Sequence, residues 1–203
     1  MSDRCNRHEA EAIGADFVAW TRAPSRSDRS KETDVFRDWE VDTPQEQIGR
    51  VLDRIMTGPS LAYAQDIIEE LEREPADLVV SSEMLFGVMI GCEAVGQKHV
   101  LLTANISLFP LEGVPPMGPG LMPALTAQDR ALHVEVAEAN RRMLDGGLGA
   151  VNLARAHFGL PALARLEDPF ARAVFMMLLV SEVHPFDDGN GRVARIMMNA
   201  ELH

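Results

Sequence analysis

Two apolar runs that do not alternate with polar residues, Leu78-Val79-Val80-Ser81-Ser82 and Lys98 to Ala104, flank a helical stretch from Met84 to Val95. Strands of this kind are typically buried on both faces, as in parallel sheets. Strand, helix, strand at this spacing predicts a βαβ unit with a right-handed crossover. The unit places the chain in the α/β class, with a small parallel sheet and flanking helices.

Around this unit the pattern is mostly helical. Ala15 to Trp20 is a short β-type run, so the predicted strands cover about 15–20, 77–82 and 98–104. Residues 21–38 are polar and charged, with Pro24, Ser25, Ser27 and Ser30, and predict a surface loop. Thr43 or Asp42 can cap a helix with Pro44 in its first turn, along which Ile48, Val51, Leu52, Ile55 and Met56 recur at helical spacing. Gly58-Pro59-Ser60 breaks that helix, and Leu61, Ala64, Ile67, Ile68 and Leu71 form the apolar stripe of the next. Residues 110–123 hold five prolines and three glycines and predict a long irregular loop. Helical periodicity returns from Thr126 to Leu144 and from Leu148 to His157, where Gly159-Leu160-Pro161 ends it. Asp168 can cap a further helix with Pro169 in its first turn, apolar nearly all round. A last helix opens at Gly189-Asn190-Gly191 and runs through Leu202.

Composition narrows the partners. The 203 residues suffice for one domain, or one domain with an appendage. A net charge of −12 repels nucleic acid and anionic membranes, and no basic run is interleaved with aromatics. Met1 to Cys5 has no apolar core, and the most apolar run, Ala173 to Val180, is too short to span a bilayer. Cys5 and Cys92 are far apart and form neither a disulfide framework nor zinc-ligand spacing. The expectation is a cytoplasmic protein without a nucleic-acid or membrane partner.

The chemistry concentrates in residues 184–195, His-Pro-Phe-Asp-Asp-Gly-Asn-Gly-Arg-Val-Ala-Arg. These twelve residues combine a candidate base, a metal-binding carboxylate, a glycine-flanked anion cradle and two guanidiniums. That is the inventory needed to hold a triphosphate and activate a hydroxyl against it. From residue 166 onward the only other basic residues besides Arg192 and Arg195 are Arg172 and the histidines, so positive charge gathers at this segment.

The segment resembles the signature of the Fic (Fido) family: His184, Pro185, Phe186, Asp188, Gly189, Asn190, Gly191, Arg192 and Arg195 fill every specified position. The resemblance covers about residues 166–203 and implies transfer of AMP from ATP to a Ser, Thr or Tyr hydroxyl of a target protein. Gly191 matches the AMP-transferring majority; relatives that phosphorylate carry Lys there. By this resemblance His184 is the general base, an imidazole suited to that task near neutrality. Asp188 supplies a hard oxygen for Mg²⁺. Gly189, Asn190 and Gly191 close backbone N–H groups around a phosphate at a helix start. Arg192 and Arg195, three apart on one helical face, reach the remaining phosphates. Phe186 packs inward and locks the loop. The inhibitory Ser/Thr-x-x-x-Glu-Gly/Asn spacing of the family does not occur; Ser107 with Glu112-Gly113 has one residue too many.

Residues 13–163 resemble another family. Glu74 to Gly87, Asn105 to Pro110 and Gly113 to Leu121 are similar to the acceptor-side domain of GT-B type glycosyltransferases that act on natural products. This resemblance implies a partial Rossmann-like domain at residues 1–163, followed at 166–203 by a helical tail carrying a truncated Fic core. It also implies a small apolar acceptor bound near residues 82–122, and a fusion of two incomplete genes joined near 160–168. A sheet without its edge partner exposes apolar surface, so self-association is expected.

Three functional readings stand side by side: Fic-type nucleotidyl transfer with ATP and Mg²⁺, an acceptor-binding remnant of a glycosyltransferase, and a non-catalytic fusion product. Ser81-Ser82-Glu83, at a strand's C-terminal end, is either part of an acceptor pocket or a strand end with Ser82 capping the next helix. His8, His99, His133 and His157 form no ligand spacing and read as surface or satisfied core histidines.

Overall fold

The computed structural model describes residues 1–102, 113–118 and 120–166. The helices predicted from Asp168 onward lie outside them. The chain divides into two units, residues 1–100 with 149–162, and residues 101–148 with 163–203. It is a helix-rich mixed α/β chain with a small parallel sheet.

In the first unit a short helix α1 (Arg7–Ala12) precedes the polar segment of residues 21–38. Helix α2 (Pro44–Val51) starts where the sequence predicts. Thr43 Oγ1 accepts from the Glu46 N–H at 3.3 Å and the Glu46 carboxylate accepts from the Thr43 N–H at 3.1 Å, closing a capping box ahead of Pro44. The helix widens into a π-helical turn, Leu52–Met56, where the Thr57 N–H donates to the Leu52 carbonyl at 2.8 Å. A Cβ on Gly58 would overlap the Asp53 carbonyl, so the chain can turn there only without a side chain.

Helices α3 (Ser60–Arg73) and α4 (Phe86–Val95) form the core of this unit. The buried face of α3 runs through Ser60, Tyr63, Ala64 and Ile67. It is therefore rotated from the predicted stripe, and Leu61, Ile68 and Leu71 are only half-buried. Small residues explain the rotation. A Cβ on Gly87 would lie 2.6 Å from Tyr63 Cβ, and one on Gly91 would lie 2.9 Å from the Ala64 carbonyl oxygen. The two backbones approach closely along this Gly-x-x-x-Gly edge. Trp20 meets Tyr63 edge to face at 4.9 Å, and Ile67, Val88 and Cys92 complete the cluster.

The sheet is smaller than the sequence predicts. Among the described residues, strand β1 (Val79–Ser82) pairs only with β2 (His99–Leu102), on either side of α4 as the βαβ pattern requires. Residues 15–20 form no strand; Ala19 makes one isolated parallel bridge to Ser2. The reason lies in the next three residues. The backbone N–H groups of Thr21, Arg22 and Ala23 all donate to the carboxylate of Asp66 on α3, at 2.9 to 3.1 Å. Their donors are spent on a helix side chain and cannot extend a ladder. The expectation that the strands are buried on both faces also fails. Exposure alternates along β1, Val80 is 59% exposed and Leu102 69%. A two-stranded sheet covered on one face leaves the other to solvent.

Helix α4 ends at Gly96, whose φ of +67° lets the Gln97 N–H reach back to the Cys92 carbonyl at 2.8 Å. Helix α6 (Leu148–His157) is held to α4 by a bidentate pair, Arg155 Nη1 and Nη2 to the Glu93 carboxylate at 2.5 and 2.9 Å. Arg155 Nε donates to the Pro161 carbonyl at 2.7 Å, fixing the turn that Gly159-Leu160-Pro161 makes after the helix.

In the second unit α5 (Ala127–Asp145) carries another capping box. Thr126 Oγ1 accepts from the Asp129 N–H at 3.1 Å, and Asp129 Oδ2 accepts from the Thr126 N–H at 2.8 Å. The C-terminal Asp145 accepts from the Leu166 N–H at 3.1 Å, and the Leu166 side chain is buried.

Candidate functional site

The sequence assigns catalysis to His184, metal binding to Asp188, phosphate binding to Gly189, Asn190, Gly191, Arg192 and Arg195, and loop packing to Phe186. All eight lie outside the described residues. Their geometry rests on the spacing within the motif alone. Among the described residues, no group of three His, Cys, Asp or Glu side chains could hold a metal ion.

The strand-end residues are described. Ser81 Oγ and His99 Nε2 lie 2.8 Å apart, and His99 is 2% exposed. The pair satisfies the polar end of a core histidine, as expected for His99. Ser82 Oγ accepts from the Met84 N–H at 3.2 Å, so this hydroxyl does cap the turn into α4. Glu83 is 4% exposed, and its Oε1 has no hydrogen-bond partner among the described residues. Burial pushes the Cys92 thiol up to about 12.

Only part of the span expected to hold an apolar acceptor, residues 82–122, is described, since 103–112 and 119 fall outside. The described part of the proline-rich loop, residues 113–118 and 120–123, is irregular chain, which two side chains of α5 tie down. His133 Nε2–H donates to the Met122 carbonyl at 3.0 Å, and Asn140 Nδ2 donates to the Met117 carbonyl at 2.8 Å. Between loop and helix lies a cavity of about 580 Å³. Helix α5 contributes Arg130, His133, Val134, Ala137 and Arg141 to its wall. Sequence reading missed these residues, although their spacing on a predicted helix puts them along one face.

Residues 133–202 match the family model of the Fic/DOC family. The match starts at His133 in the middle of α5 and takes in α6 and the whole of residues 184–195. A Fic-like domain is therefore supported, and it reaches further toward the N-terminus than the motif. No curated protein and no solved structure matches the chain. The glycosyltransferase resemblance of residues 13–163 finds no support there. Among the described residues, no helix is long and apolar enough to cross a membrane.

Proposed function

We propose that the Fic-like segment transfers AMP from Mg-ATP to a hydroxyl of a target protein. The family match over residues 133–202 carries this reading, because it includes every residue of the motif and members of the family typically perform this kind of transfer. His184 takes the proton of a Ser, Thr or Tyr hydroxyl. The freed oxygen bonds to the α-phosphorus while the bond from that phosphorus to the β-phosphate oxygen breaks, and pyrophosphate leaves. Asp188 offers the hard carboxylate oxygen that Mg²⁺ prefers. The cradle of Gly189, Asn190 and Gly191 accepts the α-phosphate, and Arg192 and Arg195 offset the charge that builds on the leaving group.

The test is incubation of the purified chain with α-labelled ATP, Mg²⁺ and a cell lysate, followed by detection of labelled protein. Label is expected with the natural sequence and a loss of about 100-fold or more in His184→Ala. No label on any protein, or equal label in the variant, overturns the reading.

A further inference from the structure

The cavity between α5 and the proline-rich loop has a chemical character that nucleotidyl transfer does not use. Its walls are apolar where Val114, Pro116 and Pro123 of the loop face Val134 and Ala137 of the helix. Among the described residues, the charged or polar side chains that line it are Arg130, His133 and Arg141. The volume of about 580 Å³ is within the range of small-molecule sites.

The two arginines differ. Arg141 is paired with Glu138 at 2.8 Å, so its charge is largely answered. Arg130 makes no ion pair among the described residues. Its neighbour Asp129 turns toward the helix cap instead, accepting from the Leu125 and Thr126 N–H groups. Eleven residues separate the arginines, about 16 Å along the helix. His133 stands between them with Nε2 committed to the Met122 carbonyl, which pins the loop as the opposite wall. The result is a cavity with apolar walls and, among its described lining residues, one guanidinium without an ion pair, that of Arg130.

We infer that this cavity binds an amphipathic anion, an alkyl or aryl body with a single carboxylate or phosphate head group held by Arg130. A guanidinium beside low-dielectric walls gains more from an anionic oxygen than it does in open water. The apolar body displaces water from the valine, proline and alanine surfaces. The proposed transfer assigns no step to Arg130, His133 or Arg141, and the inference does not rest on it.

Calorimetric titration of the full chain with decanoate, decyl phosphate and decanol tests it. One-site binding is expected for at least one of the two anions, with decanol about 10-fold weaker or worse. Which anion binds tighter identifies the head group. Arg130→Gln, at an exposed position where folding is not at stake, is expected to lower anion affinity about 10-fold and leave decanol unchanged. Equal binding of anions and decanol, no effect of Arg130→Gln, or no binding of either anion overturns the inference.

Discussion

Replacing Asp66 by Asn removes the charge that three consecutive backbone N–H groups share. Asp66 is 2% exposed and also accepts from the Thr21 hydroxyl at 2.7 Å. Burial pushes its carboxyl up, but the hydrogen bonds from Thr21, Ala23 and Arg22 together outweigh it, and its pKa is held below the usual carboxylate value. Asp66→Asn is expected to cost about 3 kcal/mol at pH 7, read from urea denaturation. The pH dependence follows from the sign. With the folded pKa lowered, the contribution is complete above the unfolded value near 4 and is lost as pH falls through the folded one. The gap between variant and natural chain should therefore be constant from about pH 7 to 5 and close in stronger acid. Nothing in the sequence marks this residue, because its partners lie more than forty positions away. The opposite holds for His184, Asp188 and Arg192. Their chemistry is contiguous in the chain, so its spacing is legible without coordinates.

Among the elements, the α3–α4 pair is the most exposed to a single added methyl group. Alanine at position 91 improves helix propensity by about 1 kcal/mol, but its Cβ would overlap Ile67 and the Ala64 backbone. Overlap with backbone wins, so Gly91→Ala is expected to destabilise by about 1–3 kcal/mol, seen as a lower urea midpoint with an unchanged slope. An unchanged midpoint would mean that the helices are not in close contact. Element starts were readable: Thr43, one of the two predicted caps, does cap the helix that begins at Pro44, and the periodicity that returns at Thr126 marks the start of α5. The βαβ order was readable as well. The third strand was not, since the β-type character of Ala15 to Trp20 says nothing about the donors of Thr21 to Ala23 being taken by a helix. Nor did periodicity place the buried face of α3, which the glycines of α4 turn toward Tyr63 and Ser60.

For the whole molecule, a net charge of −12 sets the long-range field. A gel-shift titration with duplex DNA or single-stranded RNA at low salt is expected to show no complex up to about 10 µM protein, because non-specific binding depends on counterion release by clustered Lys and Arg. A shift that disappears with added salt would contradict this. The sequence by itself determined the features that depend on near neighbours: the start of α2, the strand–helix–strand order, and the spacing of the twelve-residue motif that carries the resemblance to the Fic family. Tertiary structure alone decided which polar groups are buried, that residues 15–20 stay out of the sheet, and that Arg130, His133 and Arg141 share a wall with a proline-rich loop. The division is physical. Local preferences act over one or two turns of chain, whereas burial and pairing depend on which distant segment occupies the remaining space.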